Sequence, residues 1–342
     1  MSDIAVTGRS PAWGGDGAAV TGVAWRVPDA RRALQLCLGA LWLLDAVLQY
    51  QSWMFTKPFG QMLAGTAAGN PGFIARPITW SAGIVEHHPV YINAAFATIQ
   101  LLLALGIAWR PTLKLALGAS IGWSLAVWWL GEGLGEVLNS AANPVSGAPG
   151  AVILYALLAV LLWPTDRDGP PAPFVAAQAV GARVARALWL VLWASLAYFI
   201  LMPANRAPQA LHDMVAGMGD GEPGWLASLD SGAARVLAHQ GLAASIVLAA
   251  IFAFVAVGVF LPATPARAAL VTAIVVSIMI WVFGEALGEI FTGGATDPNS
   301  GPLLALLALA YWPASTSREL NPAAGRRPGA AESTVTPEGT VT

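Results

Sequence analysis

The string Gly-Glu-Gly-Leu-Gly-Glu at 131–136 returns as Gly-Glu-Ala-Leu-Gly-Glu at 284–289, an offset of 153 positions. Each copy carries two carboxylates four residues apart, the spacing that stacks side chains on one face of a continued helix. Like charges at the C-terminal end of a helix oppose its macrodipole, so a proton, a basic side chain or a bound cation must offset them. Glu132, Glu136, Glu285 and Glu289, joined by His87, His88 and His239, form a donor set suited to a hard or borderline divalent metal cation. The plainer reading is that the acids are hydrogen-bonded helix-end groups at the water boundary.

A second polar set lies deeper. Asp45 follows Arg32 by 13 positions, or about 20 Å of helix, which places it well inside an apolar stretch. An acid at such depth is a functional site by default. Gln49 is one turn further along, and Asn93 and Gln100 add polar groups from the next stretch. The choice for Asp45 is between a proton or ligand role and a helix–helix hydrogen bond, for example to Gln100. His212, Met214 and Met218 offer imidazole and thioether together, a copper(I) set, although Met at this spacing also makes an apolar stripe on an interfacial helix. Two histidines such as His88 and His239 would serve a haem iron, but the Cys-x-x-Cys-His attachment is missing and the single Cys37 lies in the first apolar stretch. No nucleophile triad, phosphate-binding loop or zinc-helix motif occurs, and no basic stripe points to nucleic acid.

What positions these residues is a membrane bundle. Charged residues are 11% of the 342 and hydrophobic residues 56%, against roughly 25% charged in soluble chains; the mean hydropathy is +0.63. Eight apolar stretches, at 33–50, 91–109, 113–131, 148–163, 186–203, 241–261, 268–288 and 301–312, approach the length a bilayer demands, the last being short. With both tails cytoplasmic, the inner segments collect 13 of the 17 Lys and Arg residues and the outer ones Lys57, Arg76, Arg206 and Arg235, the asymmetry of a multi-pass protein of the cell membrane. All four His residues then share the outer side with the repeated glutamates.

The repeat extends beyond the acidic string. Lys114 and Arg267 each precede their glutamate by 18 positions, both copies lead to a Pro-x-Ser-Gly (Pro144 to Gly147, Pro298 to Gly301), and both end in Trp-Pro (Trp163-Pro164, Trp312-Pro313). The expected fold is all-α: eight transmembrane helices as two tandem four-helix repeats related by a pseudo-two-fold axis along the membrane normal. The expected boundaries are a flexible tail at 1–30, repeats at 31–164 and 186–313, a cytoplasmic linker at 165–185, and a disordered tail at 314–342.

Each repeat resembles the DoxX/DoxD-like four-helix membrane proteins, in LGALWLLDAVLQYQSWMFTKPF and in IQLLLALGIAWRPTLKLAL with its basic turn. Family members usually carry Glu where this chain has Gln100, and the doubled acidic string is not part of the family pattern. The resemblance implies a quinone-linked redox subunit whose partner supplies the chemistry. Three functions follow as expectations: an extracytoplasmic site that binds or transports a metal cation, the quinone-linked subunit, or a non-catalytic scaffold for an extracytoplasmic partner or a second copy of the chain.

Overall fold

The computed structural model describes residues 26–140, 142–165 and 172–314. The expected tails lie almost wholly outside the described residues. Among the described residues there are thirteen α-helices and no strand. In chain order they are α1 (Val27–Gln49), α2 (Lys57–Gly65), α3 (Gly72–His87), α4 (Pro89–Ala108), α5 (Leu113–Leu130), α6 (Ala151–Leu161), α7 (Val175–Val180), α8 (Ala182–Ile200), α9 (Ala210–Met218), α10 (Gly224–Leu237), α11 (Gly241–Gly258), α12 (Ala263–Met279) and α13 (Ser300–Ala310).

Six helical stretches, α1, α4, α5, α8, α11 and α12 with the helical turn that continues it to Gly284, are long and apolar enough to cross a membrane. The chain is a multi-pass α-helical membrane protein, with leucines and valines such as Leu102, Leu115 and Val191 left facing outward. Proline sets several starts, at Pro28 in α1 and Pro89 in α4, where the missing N–H costs nothing. The stretches expected at 148–163 and 301–312 are shorter than a full crossing. Both α6 and α13 have 11 residues, or about 16 Å at 1.5 Å per residue. Residues 147–150 take Gly147 and Gly150 to positive φ, so the helix cannot begin before Ala151.

Packing is repeated in its chemistry. In the first half α1 lies along α4 and α5 along α6; in the second, α8 lies along α11 and α12 along α13. Trp42 of α1 is fully buried, donates to the Ser120 hydroxyl at 3.0 Å and leans on Tyr155. Trp189 of α8 is likewise buried, donates to the Val255 carbonyl at 2.8 Å and leans on Tyr311. The short helices α6 and α13 touch each other where the halves meet. There Asn205 donates to the Ala142 carbonyl at 2.8 Å, and a Cβ on Gly284 would stand 2.1 Å from the Val145 carbonyl oxygen. Much of the expected linker is ordered: Val175 and Ala176 are fully buried, and α7 packs against α1, α6 and α8.

Candidate functional site

The repeated acidic strings do not continue their helices. Gly133, Leu134, Gly135 and Glu136 have φ of 58°, 59°, 58° and 61°, and Ala286, Leu287, Gly288 and Glu289 have 42°, 57°, 77° and 53°. Each string is one turn in the left-handed region, which costs roughly 1–2 kcal/mol for every residue that is not glycine. Strain of this kind persists only where the surroundings fix it, and it concentrates at functional sites. The expected stacking of the two carboxylates at i and i+4 is therefore corrected: the reversal of hand turns Glu132 and Glu285 inward and leaves Glu136 and Glu289 exposed. Gly135 is required by its surroundings as well, since a Cβ there would lie 1.7 Å from the Pro149 carbonyl oxygen. The two Pro-x-Ser-Gly strings also differ in structure. Pro144 to Gly147 is a turn, whereas Ser300 and Gly301 open α13.

Glu132 and Glu285 do the same thing in the two halves. Glu132 Oε1 accepts from the Val152 N–H at 3.2 Å, in the first turn of α6. Glu285 accepts from the N–H groups of Ser300 at 3.2 Å and Gly301 at 3.0 Å, and from the Ser300 hydroxyl, in the first turn of α13. A carboxylate at a helix N-terminus satisfies donors that the helix cannot and meets the positive end of its dipole. Burial works the other way. It pushes Glu132 up to about 8, helped by the nearby charge of Asp297 and opposed by the N–H groups of Val152 and Ala151. Glu285 is raised by burial to about 7, held there against its three hydrogen bonds.

The halves then diverge. On the first-half side, Glu132 faces a cavity of about 420 Å³ whose wall also carries Asp45 and Asp297. Aromatic and aliphatic side chains make up most of the rest, with Phe59, Phe96 and Trp123 among them, and among the described residues no Lys, Arg or His contributes to the wall. The three carboxylates lie close enough for the charges of Asp297 and Glu132 to act on Asp45. Each is prepared to accept hydrogen bonds. Asp45 accepts from the Tyr155 hydroxyl at 2.9 Å, and Asp297 from Thr296 Oγ1 at 2.9 Å and the Asn299 N–H at 2.8 Å. Three buried polar atoms of the wall have no hydrogen-bond partner among the described residues: Glu132 Oε2, Gln100 Oε1 and the Trp123 indole nitrogen. Buried polar atoms are ordinarily paired, so these three leave two acceptors and a donor open to water or to a ligand.

The expected polar interior is thus partly corrected. Asp45 bonds to Tyr155, not Gln100, because α6 brings the phenol to it. Gln49 and Asn93 bond to each other, Gln49 Nε2 to Asn93 Oδ1 at 2.5 Å and Asn93 Nδ2 to the Gln49 carbonyl at 2.8 Å. Aligning Trp42 with Trp189 sets Asp45 against Leu192, and aligning the Trp-Pro pairs sets Tyr155 against Leu304. The second half lacks both members of the acid–phenol pair. Replacing Tyr155 with Phe should leave Asp45 buried without its donor and destabilise the fold by about 1–3 kcal/mol. Reversible unfolding in mixed micelles measures this, and an unchanged midpoint would deny the bond any weight.

The outer histidines do not join the glutamates. His87, His88 and His239 are exposed, and His87 Nδ1 lies 2.6 Å from the Gly83 carbonyl of its own helix. Among the described residues no three His, Cys, Asp or Glu side chains converge as metal ligands would. His212 pairs with Asp213 at 2.9 Å, and Met214 sulfur accepts from Asn143 Nδ2 at 3.1 Å. The buried stripe of α9 is Leu211 and Val215, with Met214 and Met218 half-buried beside it. Trp123 and Asp297 join the wall, and Tyr155 bonds to Asp45, without being marked as site residues by the sequence, except that Tyr155 carries the single polar tip in AVILYALLAV. Comparison with protein families, curated proteins and solved structures finds no match.

Proposed function

We propose that the cavity binds a lipophilic organic cation and exchanges it for a proton held on Glu132. The observation that carries this reading is the wall itself: Asp45, Glu132 and Asp297, with no basic side chain beside them among the described residues, set in an apolar, aromatic enclosure. Buried carboxylates are costly unless paired or protonated. A ligand with one positive charge and an apolar body supplies the partner that the wall lacks. Phe59, Phe96 and Trp123 would hold the body and present ring faces to the charge. The volume is that of a small-ligand site.

An organic-cation site thus replaces the expected metal-cation site of glutamates and histidines, and it lies further in, at the buried face of the acidic string and away from the exposed histidines. The eight-span arrangement also belongs here. α6 and α13, each with the loop before it, complete a crossing, and the two halves are related by an axis along the membrane normal. The matching left-handed turns and the matching carboxylates at α6 and α13 support that reading. The Lys and Arg asymmetry supports cytoplasmic termini in a cell membrane.

Proton exchange has a definite sign. Below about 8, Glu132 is mostly protonated and a bound cation must displace that proton. Affinity for tetraphenylphosphonium should fall about tenfold for each pH unit below that value and level off above it. Fluorescence titration of the purified protein across this range measures it. Affinity that is flat with pH, or that rises on acidification, overturns the exchange. A neutral quinone head group is the second reading, favoured by the orphaned Trp123 N–H, which would donate to a ring oxygen, and by the DoxX/DoxD resemblance.

A further inference from the structure

The α4–α5 turn carries a second concavity whose walls share no residue with the acidic cavity. It is a groove of about 760 Å³ between α4 and α5, flanked by Leu102, Leu105 and Leu115. Its floor is set by Gly106, where a Cβ would lie 2.8 Å from the Ala116 Cβ. The helices approach closely there and the leucines stand apart on either side, more than half exposed. At the end of the groove is Trp109, and beside it are two arginines. Arg32 of α1 donates to the Ile107 carbonyl at 3.1 Å and to that of Ala108, closing the end of α4. Arg110 is near enough for its like charge to act on Arg32. Among the described residues no carboxylate is paired with either arginine.

Two adjacent guanidiniums call for an anion, and Arg forks suit phosphate oxygens. The apolar trough beside them calls for hydrocarbon. We propose that this groove binds one anionic phospholipid, its phosphate between Arg32 and Arg110 and an acyl chain along α4 and α5. Basic residues at an interhelical groove near the membrane boundary are the expected partners of such head groups. A second copy of the chain is the poorer occupant, because a symmetric contact through this face would bring four guanidiniums together.

The test is native mass spectrometry of the full chain from micelles holding equal amounts of phosphatidylglycerol and phosphatidylcholine. The wild-type chain should keep one phosphatidylglycerol in preference to phosphatidylcholine. Arg110→Gln should cut that preference about fivefold, and Ala119→Phe, which fills the groove, should lower retention of both lipids. Arg32→Gln frees two helix-end carbonyls and risks the fold. Arg110 makes no side-chain hydrogen bond among the described residues, so Arg110→Gln decides the matter. Equal retention of the two lipids by the wild type, or an unchanged preference in Arg110→Gln, overturns the proposal. A lipid-free dimer that Ala119→Phe dissolves would also overturn it, in favour of a second copy.

Discussion

Glu132→Gln is expected to weaken tetraphenylphosphonium binding about a hundredfold, the cost of removing one partner from a buried charge pair, and to flatten its dependence on pH near neutrality. The substitution is close to isosteric. The amide oxygen keeps the bond from the Val152 N–H, so α6 keeps its N-terminal acceptor and the protein should stay folded. What disappears is the charge facing the cavity and the proton that a cation displaces. The matching change in the other half, Glu285→Gln, removes a carboxylate whose two oxygens already serve Ser300 and Gly301. It should affect stability and leave cation affinity within about threefold, since no contact to the ligand is lost. Equal losses in the two variants, seen by the same fluorescence titration, would show that Glu132 acts on the fold alone.

Gly135→Ala should be the most damaging single change in either acidic string. The added methyl would meet the Pro149 carbonyl oxygen at 1.7 Å, and the residue would have to hold a φ of 58°. Neither problem is relieved by a flexible side chain, because the obstacle is backbone. The expected loss is at least about 3 kcal/mol, from a buried overlap and left-handed strain combined. Unfolding in mixed micelles reads this directly. The turn also holds Glu132 at the start of α6, so any protein that does fold should have lost the pH dependence of cation binding. A stable Gly135→Ala variant with normal binding would mean that the left-handed turn has no part in positioning the acid.

The membrane bundle was legible because its signals are additive: sparse charge, long apolar stretches, and a Lys and Arg asymmetry that many residues share. Glu132 and Glu285 stand out in the sequence because the chain repeats them. Their geometry does not. A helical spacing of four says nothing about chain hand, and glycine in the string does not by itself announce a left-handed turn. The starts of the two short helices were not legible, because Trp163-Pro164 and Trp312-Pro313 mark where they end and nothing so plain marks where they begin. Asp45 stood out because an acid in an apolar run is rare, but its partner comes from 110 positions away, a contact no local pattern encodes. Asp297 is harder still: with Thr296 it comes from the second half and lines a cavity otherwise built by the first.

The most direct measurement is equilibrium dialysis of tetraphenylphosphonium against the purified chain near neutral pH, with proton release counted in weakly buffered solution and a short-chain quinone as competitor. One cation taken up per chain, with a proton released and no displacement by the quinone, is the expected result. A chain that takes up the quinone and ignores the cation, or binds the cation without releasing a proton, would contradict the assignment of the cavity to cation–proton exchange.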